Sequence, residues 1–160
     1  MNRLPLLSAK QLSKRFGTGH TAVNAVNNID LDIFPGELVL IMGPSGSGKT
    51  TLLSMLGGLL KPSAGQICIE DLDIAQLNES QLPVIRAQKI GFVFQSFNLL
   101  DALSVEQNIL FPARLAPGGV NEAKPRARQL IDRLGLSKRQ HALPRTLSGG
   151  EKQRVAIARA

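Results

Sequence analysis

Gly43-Pro44-Ser45-Gly46-Ser47-Gly48-Lys49-Thr50 is the stretch that decides the fold. It reads G-x-x-x-x-G-K-[ST], a pattern whose residue types suit one task, cradling a chain of phosphates. Glycines at 43, 46 and 48 let successive N–H groups turn inward into an anion-binding nest. A helix starting at the far end adds the positive pole of its dipole. Lys49 is placed to reach β- and γ-phosphates, and the Thr50 hydroxyl to hold magnesium. The flanks agree. Leu38 to Met42 is apolar throughout, which predicts a parallel strand buried on both faces. Thr51-Leu52-Leu53-Ser54-Met55-Leu56 follows, and a helix is expected over 50–60.

Residues 38–60 carry a single charge, Lys49, and their hydropathy could be read as a membrane span. Five glycines and Pro44 fall inside the stretch and the charge lies near its middle, so that reading fails. The chain's 160 residues suit a single domain that buries about 70% of its unfolded surface. Its one cysteine, Cys68, cannot close an internal disulfide, which fits a reducing compartment. No stretch near the start has the apolar length of a signal peptide. The expected location is therefore the cytoplasm, with attachment to a membrane through a partner.

The net charge of +7 is unevenly spread. Residues 1–121 hold nine basic and nine acidic side chains, whereas 122–160 hold ten and three. A nucleic-acid face could account for this excess. No aromatic residue follows Phe111, however, so base stacking is not expected and no nucleic-acid partner is predicted. A solvated helical face toward phosphate or an acidic partner fits better.

Leu6 to Phe16 predicts a first strand with a ragged apolar pattern, and Val26 to Ile33 a second, with Pro35-Gly36 as a turn. Gln66 to Ile69 reads as a strand that runs on through Glu70-Asp71 as a hairpin; the alternative is a magnesium-supporting strand end. A helix over 78–88 has Asn78 or Ser80 as its cap. Gly91-Phe92-Val93-Phe94 reads as a second buried strand, ending at Gln95. Ser104 to Leu115 predicts a helix bent near Pro112. Asn121 is expected to cap a helix that stops at Gly135.

Leu147-Ser148-Gly149-Gly150-Glu151-Lys152-Gln153-Arg154 opens the last helix. Ser148 with Glu151 makes a capping box, S-x-x-E. The box leaves two first-turn glycines unexplained, since each weakens a helix. Glycines there do bare N–H groups to an incoming anion. The chain thus has two anion-receptive helix starts about a hundred residues apart, and only one carries a lysine.

With both motifs present, the chain resembles the ATP-binding domain of an ABC transporter over essentially its whole length. GPSGSGKT corresponds to Walker A and LSGGEKQR to the family's signature motif. Gln95, in Gly-Phe-Val-Phe-Gln-Ser-Phe-Asn-Leu-Leu, matches the Q-loop glutamine. Phe16 falls where the family places an adenine-stacking aromatic, more often Tyr. The stretches 95–100 and 103–109 are most similar to the macrolide-export and lipoprotein-release branch.

The resemblance implies an α/β fold of the P-loop NTPase class. It would have an N-terminal antiparallel β subdomain, a helical signature subdomain and an incomplete core sheet. The implied division is 1–95 for the β subdomain with the Walker A core, 96–150 for the helical subdomain, and 151–160 for the start of a return helix. ATP would be held by Phe16, Gly43, Pro44, Ser45, Gly46, Ser47, Gly48, Lys49, Thr50, Thr51 and Gln95, and by Ser148, Gly149, Gly150 and Glu151 of a twin subunit. Lys49 and Gln95 would serve catalysis, with Thr50 and Gln95 on Mg2+. Implied partners are a second copy, packed head to tail, and an integral membrane permease on whose cytoplasmic face the pair would sit.

The resemblance also implies elements that these residues do not contain: the Walker B aspartate, the catalytic glutamate, the D-loop and the switch histidine. His20 and His141 lie in the wrong places to substitute. The expectation is therefore a truncated domain that binds nucleotide weakly without turning it over, and whose uncovered sheet edge promotes aggregation. Repair and chromosome ATPases share both motifs but insert a long coiled coil, and no heptads lie between Thr50 and Leu147. A soluble family member acting on ribosomes would need a tandem second domain. Kinases would explain Walker A alone.

Overall fold

The computed structural model describes residues 4–160, which form two compact units divided between Leu82 and Pro83.

The first unit is built on an antiparallel sheet. Its strands are β1 (Leu7–Phe16), β2 (Val23–Ile33), β3 (Ala64–Ile69) and β4 (Leu72–Asp73), in the order β2-β1-β3-β4. β1 is central, with Leu7 facing Ile33 on one side and Ile69 on the other. Its ragged sequence pattern has a structural cause. The register slips between Ala9 and Leu12, so these two fully buried residues stand three apart instead of two. The bulge also brings the Gln11 carbonyl to within 2.5 Å of where a Cβ on Gly65 would lie, and Gly65 itself has φ +93°. No other residue fits there.

Helix α1 (Lys49–Leu56) is shorter than the predicted 50–60. It ends in a Schellman motif around Gly58 (φ +63°), in which Leu59 N–H donates to Ser54 C=O at 2.8 Å and Gly58 N–H to Met55 C=O at 2.9 Å. The 67–74 segment folds as the expected hairpin, with Cys68 facing Asp73.

The run 38–42 departs from expectation: it forms no strand. Leu38 is 98% exposed and Met42 78%. A two-sided parallel strand needs a ladder partner at each edge, and among the described residues no segment pairs with it. The same holds for 91–94, the other predicted buried strand. The apolar surface anticipated for an uncovered edge is thus present at 38–42.

The second unit is helical. It contains α2 (Leu82–Lys89), α3 (Val105–Leu110), α4 (Gly119–Arg133) and α5 (Gly149–Arg159), with 3-10 turns at Phe111–Arg114, Ser137–Arg139 and Pro144–Thr146. α2 starts at Leu82, later than the predicted 78, and Asn78 Oδ1 accepts from the N–H groups of Ser80 and Gln81 in the turn that precedes it. Ser104 closes a capping box with Gln107, and the bend beyond α3 comes at Pro112 as predicted. α4 begins earlier than expected, with Gly118 (φ 78°) at its N-cap, so Asn121 lies inside the helix and does not cap it. Its end is a second Schellman motif, where Leu136 N–H donates to Ile131 C=O at 2.8 Å and Gly135 N–H to Asp132 C=O at 3.0 Å.

One apolar cluster holds α3, α4 and α5 together: Val105, Ile109 and Leu110 of α3, Ala127 and Ile131 of α4, Leu136, Leu147, and Val155 of α5. Leu136 is fully buried there while its N–H closes the Schellman turn. Leu136→Ala should therefore lower unfolding free energy by about 2–5 kcal/mol. Urea unfolding followed by circular dichroism measures it, and a loss below about 1 kcal/mol would contradict this account of the core.

Candidate functional site

In the first unit, the loop from Gly43 to Gly48 leads directly into α1, with Gly48 as its N-cap. Gly43, Gly46 and Gly48 have φ of +153°, +80° and +87°. Gly48 is the tightest point. A Cβ there would lie 2.1 Å from the Ala25 carbonyl oxygen of β2, so the loop can rest on the sheet only without a side chain. The cap has no side-chain acceptor, and the first turn holds no acid. The N–H groups of Lys49, Thr50 and Thr51 therefore have no acceptor within the helix, whose first internal bond is Leu52 N–H to Gly48 C=O at 2.8 Å. The result is an electropositive concavity.

Lys49 Nζ lies against the mouth of the loop. It donates to the carbonyls of Gly43 at 2.9 Å and Pro44 at 2.6 Å, and to Ser47 Oγ at 3.3 Å. The loop, Lys49 and the β2 segment Ala25–Asn27 line one groove. Ser45, Gly46 and Thr50 are exposed beside it. Phe16 ends β1 and is 44% exposed. The Lys14 ammonium stands 5.3 Å from that ring's centre and donates to the Lys61 carbonyl at 2.7 Å.

Ser148 and Gly149–Arg159 make the second helix start. The capping box closes in both directions: Ser148 N–H donates to Glu151 Oε2 at 2.7 Å, and Glu151 N–H to Ser148 Oγ at 3.3 Å. Arg139 Nε donates to the other carboxylate oxygen at 3.0 Å. These bonds, with the Ser148 backbone foremost and Arg139 after it, hold the Glu151 carboxyl below its usual range. Glu151 thus spends both oxygens on the fold. The glycines do not serve it. A Cβ on Gly149 would meet nothing within 4 Å, and one on Gly150 only the far end of Arg154 at 3.7 Å.

Gln95 is exposed on a turn of the second unit, closed by Phe97 N–H to Phe94 C=O at 3.0 Å. The next residues are strained, with Phe97 at φ 62° and Asn98 at φ 47°. Arg159 donates to both their carbonyls. Asn108, fully buried, accepts from Leu100 N–H at 2.8 Å and donates to the carbonyls of Leu100, Leu103 and Ser104. Arg139, Asn108 and Arg159 carry no motif, and sequence reading did not single them out for these roles; each acts on a partner that only folding brings near.

Among the described residues, no group of three or more His, Cys, Asp or Glu gathers as a metal site. The acids of the 67–74 hairpin are turn-formers: Asp73 Oδ1 accepts from Ala75 N–H at 2.9 Å. Among the described residues, no helix is long and apolar enough to cross a membrane.

The chain is similar to known proteins over most of its length. The sequence pattern of the ABC transporter family matches residues 26–160. The macrolide export ATP-binding/permease protein MacB of Wolinella succinogenes is 44% identical over 98% of the chain, which spans 24% of that protein. The uncharacterized ABC transporter ATP-binding protein Rv2564 of Mycobacterium tuberculosis is 43% identical over 96%, and the chain spans 47% of it. Among solved structures, the dimeric post-hydrolysis ATP-binding cassette MJ0796, bound to ADP and Pi, superposes with a TM-score of 0.87 at 39% identity. It matches 96% of this chain, which covers 68% of the cassette. The fold is that of an α/β P-loop NTPase cassette.

Two substitutions test the geometry. Gly48→Ala should displace the loop from β2 and destabilise the protein by more than about 1 kcal/mol, seen as a lower denaturation midpoint and shifted amide resonances over 43–50. Because folding lowers the Glu151 pKa, its stabilisation is complete above the ordinary carboxylate range and is lost as pH falls through the lowered value. The stability difference between the native protein and Glu151→Gln should therefore be constant near neutrality and shrink on acidification. A difference that grew instead would contradict the capping role.

Proposed function

The chain belongs to the ABC transporter family, and from that premise we propose that it is the ATP-binding and ATP-hydrolysing part of a membrane exporter, worked by head-to-tail pairing of two copies. The observation that carries this reading is the pair of helix starts. One is an uncapped, lysine-bearing turn at Lys49, and the other offers two glycines that the fold does not require. Each first-turn glycine costs roughly 0.5–1 kcal/mol relative to alanine. Close approach of an anion to bare N–H groups explains both.

In this reading ATP supplies a triphosphate whose terminal group is lost on hydrolysis. Backbone N–H groups of 45–51 receive its oxygens, with Lys49 on the β- and γ-phosphates and Thr50 holding Mg2+. Phe16, a partly exposed aromatic, would stack on adenine. Ser148 can still donate its hydroxyl proton while its oxygen accepts from Glu151 N–H, so with Gly149 and Gly150 it would clasp the γ-phosphate held by the other copy. Hydrolysis then removes the shared ligand and parts the pair. Gln95 would orient the attacking water and help hold Mg2+. The dimeric MJ0796 cassettes support the pairing.

The identity to MacB supports assignment to the macrolide-export branch, with a permease as partner and the cytoplasmic membrane face as location. Thr50 and Gln95 are neutral, and neither can take a proton from water. Residues 1–160 alone are therefore expected to bind ATP without steady turnover, and sustained phosphate release would overturn that part.

Lys49→Ala should weaken ATP binding by about ten- to a hundredfold in equilibrium titration. Gly150→Ala should raise the thermal midpoint yet abolish ATP-dependent self-association measured by sedimentation. If Gly150→Ala paired as well as the native chain, the clasping role of this helix start would be refuted.

A further inference from the structure

We propose that Arg159 is a positioning residue that locks the turn bearing Gln95 to helix α5, so that an event at Ser148–Gly150 is carried along α5 to Gln95. The geometry is local to the second unit. Arg159 sits in the last turn of α5, about 16 Å along the axis from Ser148. Its fork reaches two successive carbonyls, Phe97 at 2.8 Å through Nη2 and Asn98 through Nη1. Phe97 and Asn98 are the two residues the turn forces into the left-handed region, where an aromatic side chain is ill-suited. A turn so strained persists only when its surroundings hold it. Further bonds complete the grip: Asn98 N–H donates to Ser96 C=O and Ser96 Oγ to Asn98 Oδ1, both at 2.7 Å, and Asn108 anchors residues 100–104.

Arg159 does not reach outward like a solvated surface cation. It is half-buried, and burial lowers its pKa although the group stays charged. Both of its carbonyl partners belong to the Gln95 turn. A rigid helix with a capping box at one end and this fork at the other transmits displacement, because the turn cannot stay behind when α5 moves. The transmission rests on the proposed clasping of ATP at Ser148–Gly150; the grip itself does not.

Arg159→Lys keeps the charge and the stem but cannot hold both carbonyls as a planar fork. Amide hydrogen exchange of the full chain reads the outcome. Without nucleotide, the Phe97 and Asn98 amides should exchange at least about tenfold faster in the variant, while those of Val155 to Ile157 stay as in the native chain. With Mg–ATP in excess, the native chain should change exchange at 148–152 and at 96–98 together, and the variant only at 148–152. Unchanged exchange at Phe97 and Asn98, melting of α5 as a whole, or a nucleotide response at 96–98 that survives the substitution would each overturn the positioning role. If ATP altered exchange at 43–50 but not at 148–152 of the native chain, the clasping reading and the transmitted signal would both fall, with the basal exchange still deciding the grip.

Discussion

At Gly48 the chain passes so near the Ala25 carbonyl of β2 that even a methyl group would collide. Much of the nucleotide site depends on that constraint. It fixes where α1 begins, and so where the free N–H groups of Lys49 to Thr51 point. It also places the loop beside the β2 segment that lines the same groove. A helix dipole is useful to an anion only within its first turn. Anchoring that turn to the sheet by backbone contact sets the site without side chains that would compete for the ligand.

The second helix start follows a different logic. Ser148 and Glu151 satisfy the backbone reciprocally and Arg139 fixes the carboxylate, so the turn is rigid by itself. Rigidity at Ser148 and Glu151 lets Gly149 and Gly150 remain bare, at a modest loss of helix stability. Stability and function are thus assigned to different residues of one turn. At the other end, Arg159 ties the same helix to a turn that is unfavourable by itself. The helical core of Val105, Ile131, Leu136 and Val155 makes these local arrangements cooperative.

The two apolar runs, 38–42 and 91–94, show the limit of pattern reading. Their composition states that both faces want covering, and the exposure of Leu38 and Met42 confirms how much apolar surface they carry. Composition does not say which segment will pair with them. A parallel strand acquires its hydrogen bonds from non-local neighbours, so a sequence window cannot decide whether the ladder forms. Helix ends behave oppositely. Ser104, Ser148, Gly58 and Gly135 act within a turn of themselves, and all four end or begin helices where their chemistry directs. Asn121 is the exception: a glycine with positive φ just upstream started α4 first.

By itself the sequence determined the phosphate loop, the capping box with its surplus glycines, and the hairpin at 67–74, because each rests on interactions among residues a few positions apart or on conformations open to glycine alone. It also carried the family resemblance, since both motifs are contiguous. Only the tertiary structure decided the β1 bulge that makes Gly65 irreplaceable, the Gly48–Ala25 contact, and the roles of Asn108, Arg139 and Arg159. Asn108 meets its partners only four to eight residues back, through loop and cap groups that no periodicity marks. The other four depend on groups farther apart or on backbone irregularity, and a carbonyl met across sixty residues leaves no local periodicity to read.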